Sequence, residues 1–216
     1  MPQSDVENQG SSKMDNINRF VIELKLSHRL GARHIHKFLM KCLNPLDRSE
    51  MSPRADAGLL WRQDFHVLTV QTVGSNTLDV PVNFGILKPA VLPEPTGELR
   101  VKVARQYRPN IKIDPVTAKI LREQGKDPKK TKMRLTPVPE ERLEDWAVRL
   151  LERRGLEIKA IKCSIVEDVV LDTRDKRQRI PAAEIVANVN GDTWPIVVNG
   201  LGRGKNYGFG LVQTGS

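Results

Sequence analysis

Phe20, Ile22, Leu24 and Leu26 fall on every second position, the period-two pattern of a strand with one buried face. From about Ala32 the period changes. Ile35, Leu39 and Leu43 recur every four residues with Phe38 and Cys42 beside them, which predicts a helix closed by Pro45. Residues 59–64 and 67–72 predict two short strands close enough to pair as a hairpin. Residues 81–95 are proline-punctuated and read as irregular. Leu99, Val101 and Val103, alternating with Arg100 and Lys102, then predict a strand with one basic face. That order, β-α-β-β-(irregular)-β, is the order of a ferredoxin-like unit.

A looser copy follows: a short strand over 133–138, then a helix over 139–154 with Leu143, Trp146, Leu150 and Leu151 inward. A long strand over 156–171, a charged hairpin tip at 172–179 and β-rich segments at 183–189, 194–198 and 208–213 complete it. The pattern predicts an α+β protein of two tandem ferredoxin-like (RRM-like, βαββαβ) domains, 16–108 and 109–216, behind a polar, disordered leader at 1–15. The halves share element order and no convincing identity.

Composition narrows the class. Hydrophobic residues make 39% of the 216 and charged residues 28%, an ordinary globular balance. No apolar run approaches the ~20 residues of a membrane span, and no signal peptide precedes the first strand, so a cytoplasmic protein without membrane contact is expected. Cys42 and Cys163 are isolated, which excludes a disulfide framework and a zinc knuckle; no cofactor is expected. The net charge of +9 is uneven. Residues 98–135 hold twelve Lys and Arg against Glu98, Asp114, Glu123 and Asp127, a local excess of +8. Such concentration suits a polyanion tracked along its backbone, a solvated basic loop being the plain alternative. Aromatics are sparse at 5%, so stacking of many unpaired bases is disfavoured and duplex or hairpin RNA fits better.

The C-terminal segment carries the densest chemistry. Gly200, Gly202, Gly204, Gly208 and Gly210 alternate with Arg203, Lys205, Tyr207 and Phe209. It is not a dinucleotide fingerprint, because the sixth position counted from Gly200 is Lys205 and from Gly202 is Tyr207. Nor is it a Walker A loop, whose required Gly and Ser/Thr positions hold Asn199 and Asn206. Two cations between glycines point to an anionic visitor such as a phosphate backbone; a flexible terminal turn is the alternative. Among four histidines, His34 and His36 lie two apart on the predicted helix and so face different ways, with no third ligand at metal spacing. His36 has Lys37 beside it and Arg33 one turn before, a face that could hold a phosphate. An imidazole there can take or give the proton when a 2′-OH attacks its own phosphodiester, although a plain surface histidine has the same spacing.

The tail G-L-G-R-G-K-N-Y-G-F-G-L-V resembles the glycine-rich signature of CRISPR repeat-processing endoribonucleases of the RAMP superfamily. More narrowly the chain is similar to the CasE (Cse3) family of type I-E Cascade, over about residues 16–213. Three further segments agree in order: Arg33-His-Ile-His-Lys-Phe-Leu39, the hairpin 58–72 and the helix 143–155. The resemblance implies tandem ferredoxin-like folds and binding of the CRISPR repeat RNA stem-loop. It implies metal-independent cleavage at the base of the stem, leaving 2′,3′-cyclic phosphate and 5′-OH ends. It also implies retention on the mature guide RNA beside other Cascade subunits.

The family's catalytic histidine lies on the first helix in an H-x-x-L setting, matched by His36 and Leu39. Where many members carry a tyrosine one turn earlier this chain has Arg33, a departure that leaves the second catalytic group open; Arg33 is expected to hold or neutralise the scissile phosphate. An RNA-binding role carries over to Gly202, Arg203, Gly204 and Lys205. For Lys37, Lys129, Lys130 and Lys132 it rests on charge. The alternative function is a non-catalytic structured-RNA-binding protein with tandem RRM-like domains; a DNA- or tRNA-binding protein is a more distant rival.

Overall fold

Strand β1 (Ile17–Leu24) buries Ile22 and Leu24, as its alternation predicts, and α1 (Ala32–Cys42) buries Ala32, Ile35, Leu39 and Cys42 against the same core. The computed structural model describes residues 17–25, 30–44, 58–74, 76–90, 92, 97–107, 115–125, 135–172 and 178–214. After α1 come β2 (Leu43–Asn44), β3 (Leu60–Asp64), β4 (Val67–Val73), β5 (Thr77–Leu78) and β6 (Gly85–Ala90). The first sheet is antiparallel in the order β3-β4-β1-β6, and β2 pairs with β5 beside it. Leu26 and Pro45 fall outside the described residues.

Residues 81–95 do not stay irregular. Gly85–Ala90 pairs along β1 from Leu24↔Gly85 to Arg19↔Ala90. Pro89 hid this strand from a sequence reading, yet β6 is an edge strand, where a residue with no N–H to donate is tolerated. Where a βαββαβ unit has its second helix, described residues 76–84 form only β5 and turns.

The second sheet begins with β7 (Glu98–Ala104), the strand expected to close the first domain. It is followed by β8 (Gln106–Tyr107), α2 (Pro115–Glu123), β9 (Thr136–Pro137), α3 (Leu143–Glu152), β10 (Glu157–Val170), β11 (Arg179–Asn190), α4 (Trp194–Asn199) and β12 (Val212–Thr214). The sheet order is β10-β11-β7-β12, so β7 pairs with β11 on one side and β12 on the other. A boundary at 108/109 therefore falls after the first strand of the second unit. Of the strand expected over 133–138, residues 133–134 lie outside the described residues, and Thr136–Pro137 pairs with β8. Residues 194–198, read as β-rich, are the helix α4. Asp192 Oδ1 accepts the Trp194 N–H at 2.9 Å, Thr193 O accepts from Ile196 and Val197, and Pro195 stands in the first turn, signals that outweigh three consecutive β-branched residues.

Each four-stranded sheet has the same connectivity, and the chain is two tandem ferredoxin-like domains. One core gathers Leu99, Val101, Ile185, Leu143, Ala147 and Leu151; the other gathers Ile22, Ile35, Leu39, Trp61, Leu68 and Val70. Polar groups join them. The buried Arg19 guanidinium donates to Gln71 Oε1 and to Val212 O, both at 2.8 Å, and Gln71 Nε2 donates to Val197 O at 2.8 Å. Burial holds the Arg19 pKa below its ordinary value, and these acceptors are what make the buried cation tolerable.

Candidate functional site

The C-terminal glycines build an ordered loop rather than a flexible turn. Leu201 N donates to Gly210 O and Gly210 N donates to Lys102 O, each at 2.9 Å, which folds the loop back on β7. Leu201, Phe209 and Leu211 are buried beneath it. Between them lies a single 3-10 turn, Lys205–Tyr207, flanked by Gly204 (φ 76°) and Gly208 (φ 83°) in the left-handed region. Gly208 lies flat on the indole of Trp61: a Cβ there would stand 2.7 Å from Cζ3. Glycine at this position thus serves a protein contact, the seating of the second domain's loop on β3 of the first.

That seat brings together segments far apart in sequence. α1 packs against the turn Lys205–Tyr207, and Tyr207 joins the core under α1. The start of α1 is also tied to the second domain, by Arg33 N donating to Leu171 O at 3.1 Å. Arg33 and Lys37, four apart, share an exposed face of α1, and His36, three residues after Arg33, is half-buried with its Nδ1 covered. His34 is exposed on a different face. Arg203 is exposed at the loop's crest, Gly202 (φ 76°) and Gly204 frame it, and Lys205 Nζ donates to Asn199 O. The structure therefore sets α1, the helix that carries Arg33, His36 and Lys37, against the turn Lys205–Tyr207 of the glycine-rich loop. Lys129, Lys130 and Lys132 lie outside the described residues. Among the described residues no three His, Cys, Asp or Glu side chains converge as metal ligands, and no helix is long and apolar enough to cross a membrane.

Beside the junction an interdomain cleft of about 660 Å³ runs from Ala32 and Tyr207 past Trp61 and Lys102 to Phe65. A charge network forms its wall. Arg62 Nε contacts Asp64 Oδ2 at 2.6 Å and its Nη2 contacts Glu184 Oε1 at 2.8 Å, while Arg100 Nη2 reaches Glu184 Oε2 at 2.6 Å. The hydrogen bond from Arg100 holds the Glu184 carboxyl below its ordinary pKa, with Arg62 adding to it and burial opposing both. Lys102 is pushed below its ordinary value by burial and by neighbouring Arg62. Sequence reading missed this wall because its partners are 84 and 122 positions apart. The one local hint was the basic face of Arg100 and Lys102 on a predicted strand.

The tandem arrangement is shared with solved structures of CRISPR proteins. One is the CRISPR endoribonuclease Cse3 bound to a 19-nucleotide RNA, at 18% identity, covering 93% of this chain and all of that one, with a TM-score of 0.62. A second is the CRISPR-associated protein Cas6e from Escherichia coli strain K-12, at 14% identity over 92% of this chain and 97% of that one, TM-score 0.54. A third is a chain of a CRISPR RNA-guided surveillance complex, at 18% identity over 90% and 97%, TM-score 0.53. At these identities the likeness is one of fold. No protein-family model and no curated protein matches the chain.

Proposed function

We propose that this protein is a CRISPR repeat-processing endoribonuclease that cuts precursor RNA at the base of the repeat stem-loop without a metal ion and remains on the guide RNA within Cascade. What carries the reading is one juxtaposition: α1, with Arg33, His36 and Lys37, packs directly on the cationic turn of the glycine-rich loop. The two segments singled out for RNA chemistry come from opposite ends of the chain and meet at the domain junction. The shared fold with an RNA-bound endoribonuclease and with a surveillance-complex subunit supports the same reading.

In the mechanism that follows, the RNA lies across the junction with its backbone held by Arg203 and Lys205 and by Lys37 on α1. The 2′-oxygen at the base of the stem attacks the adjacent phosphorus as the bond to the 5′-oxygen breaks. The 2′-OH gives up a proton and the departing 5′-oxygen gains one, leaving a 2′,3′-cyclic phosphate and a 5′-OH. The imidazole of His36 on α1 handles one of these two protons. The Arg33 guanidinium neutralises charge gathering on the non-bridging oxygens. Proton transfer by a placed imidazole contributes about 10²–10⁴-fold. His36→Ala should therefore slow single-turnover cleavage of the repeat hairpin in EDTA by about that factor while its affinity stays within a few-fold. Normal cleavage by His36→Ala would remove the assignment, and tight binding without cutting by the wild type would leave the non-catalytic RNA-binding alternative.

A further inference from the structure

The helix that carries Arg33 and His36 begins without a cap from its own sequence. Gly31, its N-cap, has no side chain to accept a first-turn N–H, and no acidic residue stands in that turn. His34 N and Ile35 N both turn back to Gly31 O, at 2.8 and 3.2 Å. Arg33 N takes a different acceptor, Leu171 O at 3.1 Å, a carbonyl of the second domain. First-turn amides have no partner inside their own helix, so this one is satisfied from outside.

That carbonyl belongs to the far end of the β10–β11 hairpin. Between the pairs Val166↔Ala182 and Val169↔Ile180, Glu167 and Asp168 stand opposite Pro181 alone. This is a β-bulge, which bends its strand and sharpens the local twist. Beyond the bulge the hairpin leaves its own domain. Val169 and Leu171 pack against the core of the first domain, the one to which α1 contributes Ile35 and Leu39. Val169 also packs on the small cluster around buried Phe209, and Tyr207 of the glycine-rich loop belongs to both groups in the same way. The hairpin arm, the loop and the core under α1 thus meet at Val169 and Tyr207. Leu171 N donates to Gln178 O at 2.8 Å, which ties the two strands of the arm together at the residue that holds α1.

We infer that the β10–β11 arm positions α1 for RNA cleavage, with Val169 and Leu171 as positioning residues. Leu171 O fixes the backbone of Arg33, and the two side chains fix how α1 sits against the glycine-rich loop. The inference rests on the endoribonuclease reading, in which Leu171 acts through Arg33 and His36 and touches no RNA itself. The physical reason is the narrow tolerance of the reacting geometry, where a misplacement of about 1 Å costs as much as about 10²-fold. Ile35 and Leu39 keep α1 seated on its core when the arm's contacts are weakened, so the helix shifts rather than melts.

The test is single-turnover cleavage of the repeat hairpin by the full chain, read beside amide hydrogen exchange of the free protein. Leu171→Ala should speed exchange at the Arg33 amide about 5-fold, the worth of one backbone hydrogen bond. The Leu43 amide, bonded to Leu39 O at the far end of α1, should keep its rate. The same variant should cut about 10- to 100-fold more slowly at saturating protein, with hairpin affinity within a few-fold. Leu171→Met, which refills the packing, should restore the rate. In an Arg33→Ala background the further loss on Leu171→Ala should shrink, because both changes act at one place. If Leu171→Ala melts below the assay temperature, Leu171→Val, the smaller truncation, is read by the same measures. Unchanged exchange at Arg33, wild-type cleavage with that amide exposed, or losses that simply multiply with Arg33→Ala would each overturn the inference and leave the arm as packing alone. A wild type that binds the hairpin without cutting it would remove the endoribonuclease reading, and the positioning role with it.

Discussion

Replacing Gly208 by Ala puts a methyl where the indole of Trp61 already stands. The new Cβ would lie 2.7 Å from Cζ3, 3.0 Å from Cη2 and 3.1 Å from Cε3, all atoms of one rigid, fully packed ring. Two costs add. An L-residue at φ 83° costs about 1–2 kcal/mol, and overpacking a tight contact costs about 1–3 kcal/mol, for a total of about 2–5 kcal/mol. Gly155→Ala isolates the first cost, because Gly155 has φ 77° and nothing within 4 Å of the added methyl. Urea unfolding of both variants, followed by tryptophan fluorescence and far-UV circular dichroism, should separate them by about 1–3 kcal/mol at unchanged m-value. Equal midpoints would refute the claim that Gly208 is required by its seat on Trp61, and the glycine would then be free for RNA contact alone.

Arg203→Ala should lower the slope of log K against log salt by roughly one for the repeat hairpin without altering the melting temperature; an unchanged slope would remove Arg203 from the phosphate contacts. Glu184 supplies a pH test of the domain junction. Its folded pKa is depressed, so its stabilisation is present above the unfolded value of about 4.3 and is lost as pH falls through the folded value. Glu184→Gln should therefore melt below wild type near neutral pH, with the gap closing in acid. A gap that persists at low pH would mean the carboxylate charge is not what Arg62 and Arg100 hold.

Local pattern carried much of this protein. Alternation at Ile22 and Leu24, the four-residue spacing of Ile35 and Leu39 and the paired runs around 59–72 gave β1, α1 and the β3–β4 hairpin, because the apolar face of an element is written in its own periodicity. The histidine, the cations and the glycine loop stood out as candidates for the same reason: each is a short run whose residue types restrict its chemistry. Tertiary structure alone decided what those runs join. β7 reads as a strand from Leu99, Val101 and Val103, but its sheet is chosen by Val212, which pairs with Val101 more than a hundred residues later. Pro89 disguised β6 until an edge position excused its missing donor, and the β-branched run at 196–198 became helix because its first turn was capped. Gly208 needs the face of Trp61, and Glu184 needs two arginines from distant strands. Periodicity reports burial, whereas sheet membership and the meeting of α1 with the loop depend on which distant surfaces are complementary, and no window along the chain contains both partners.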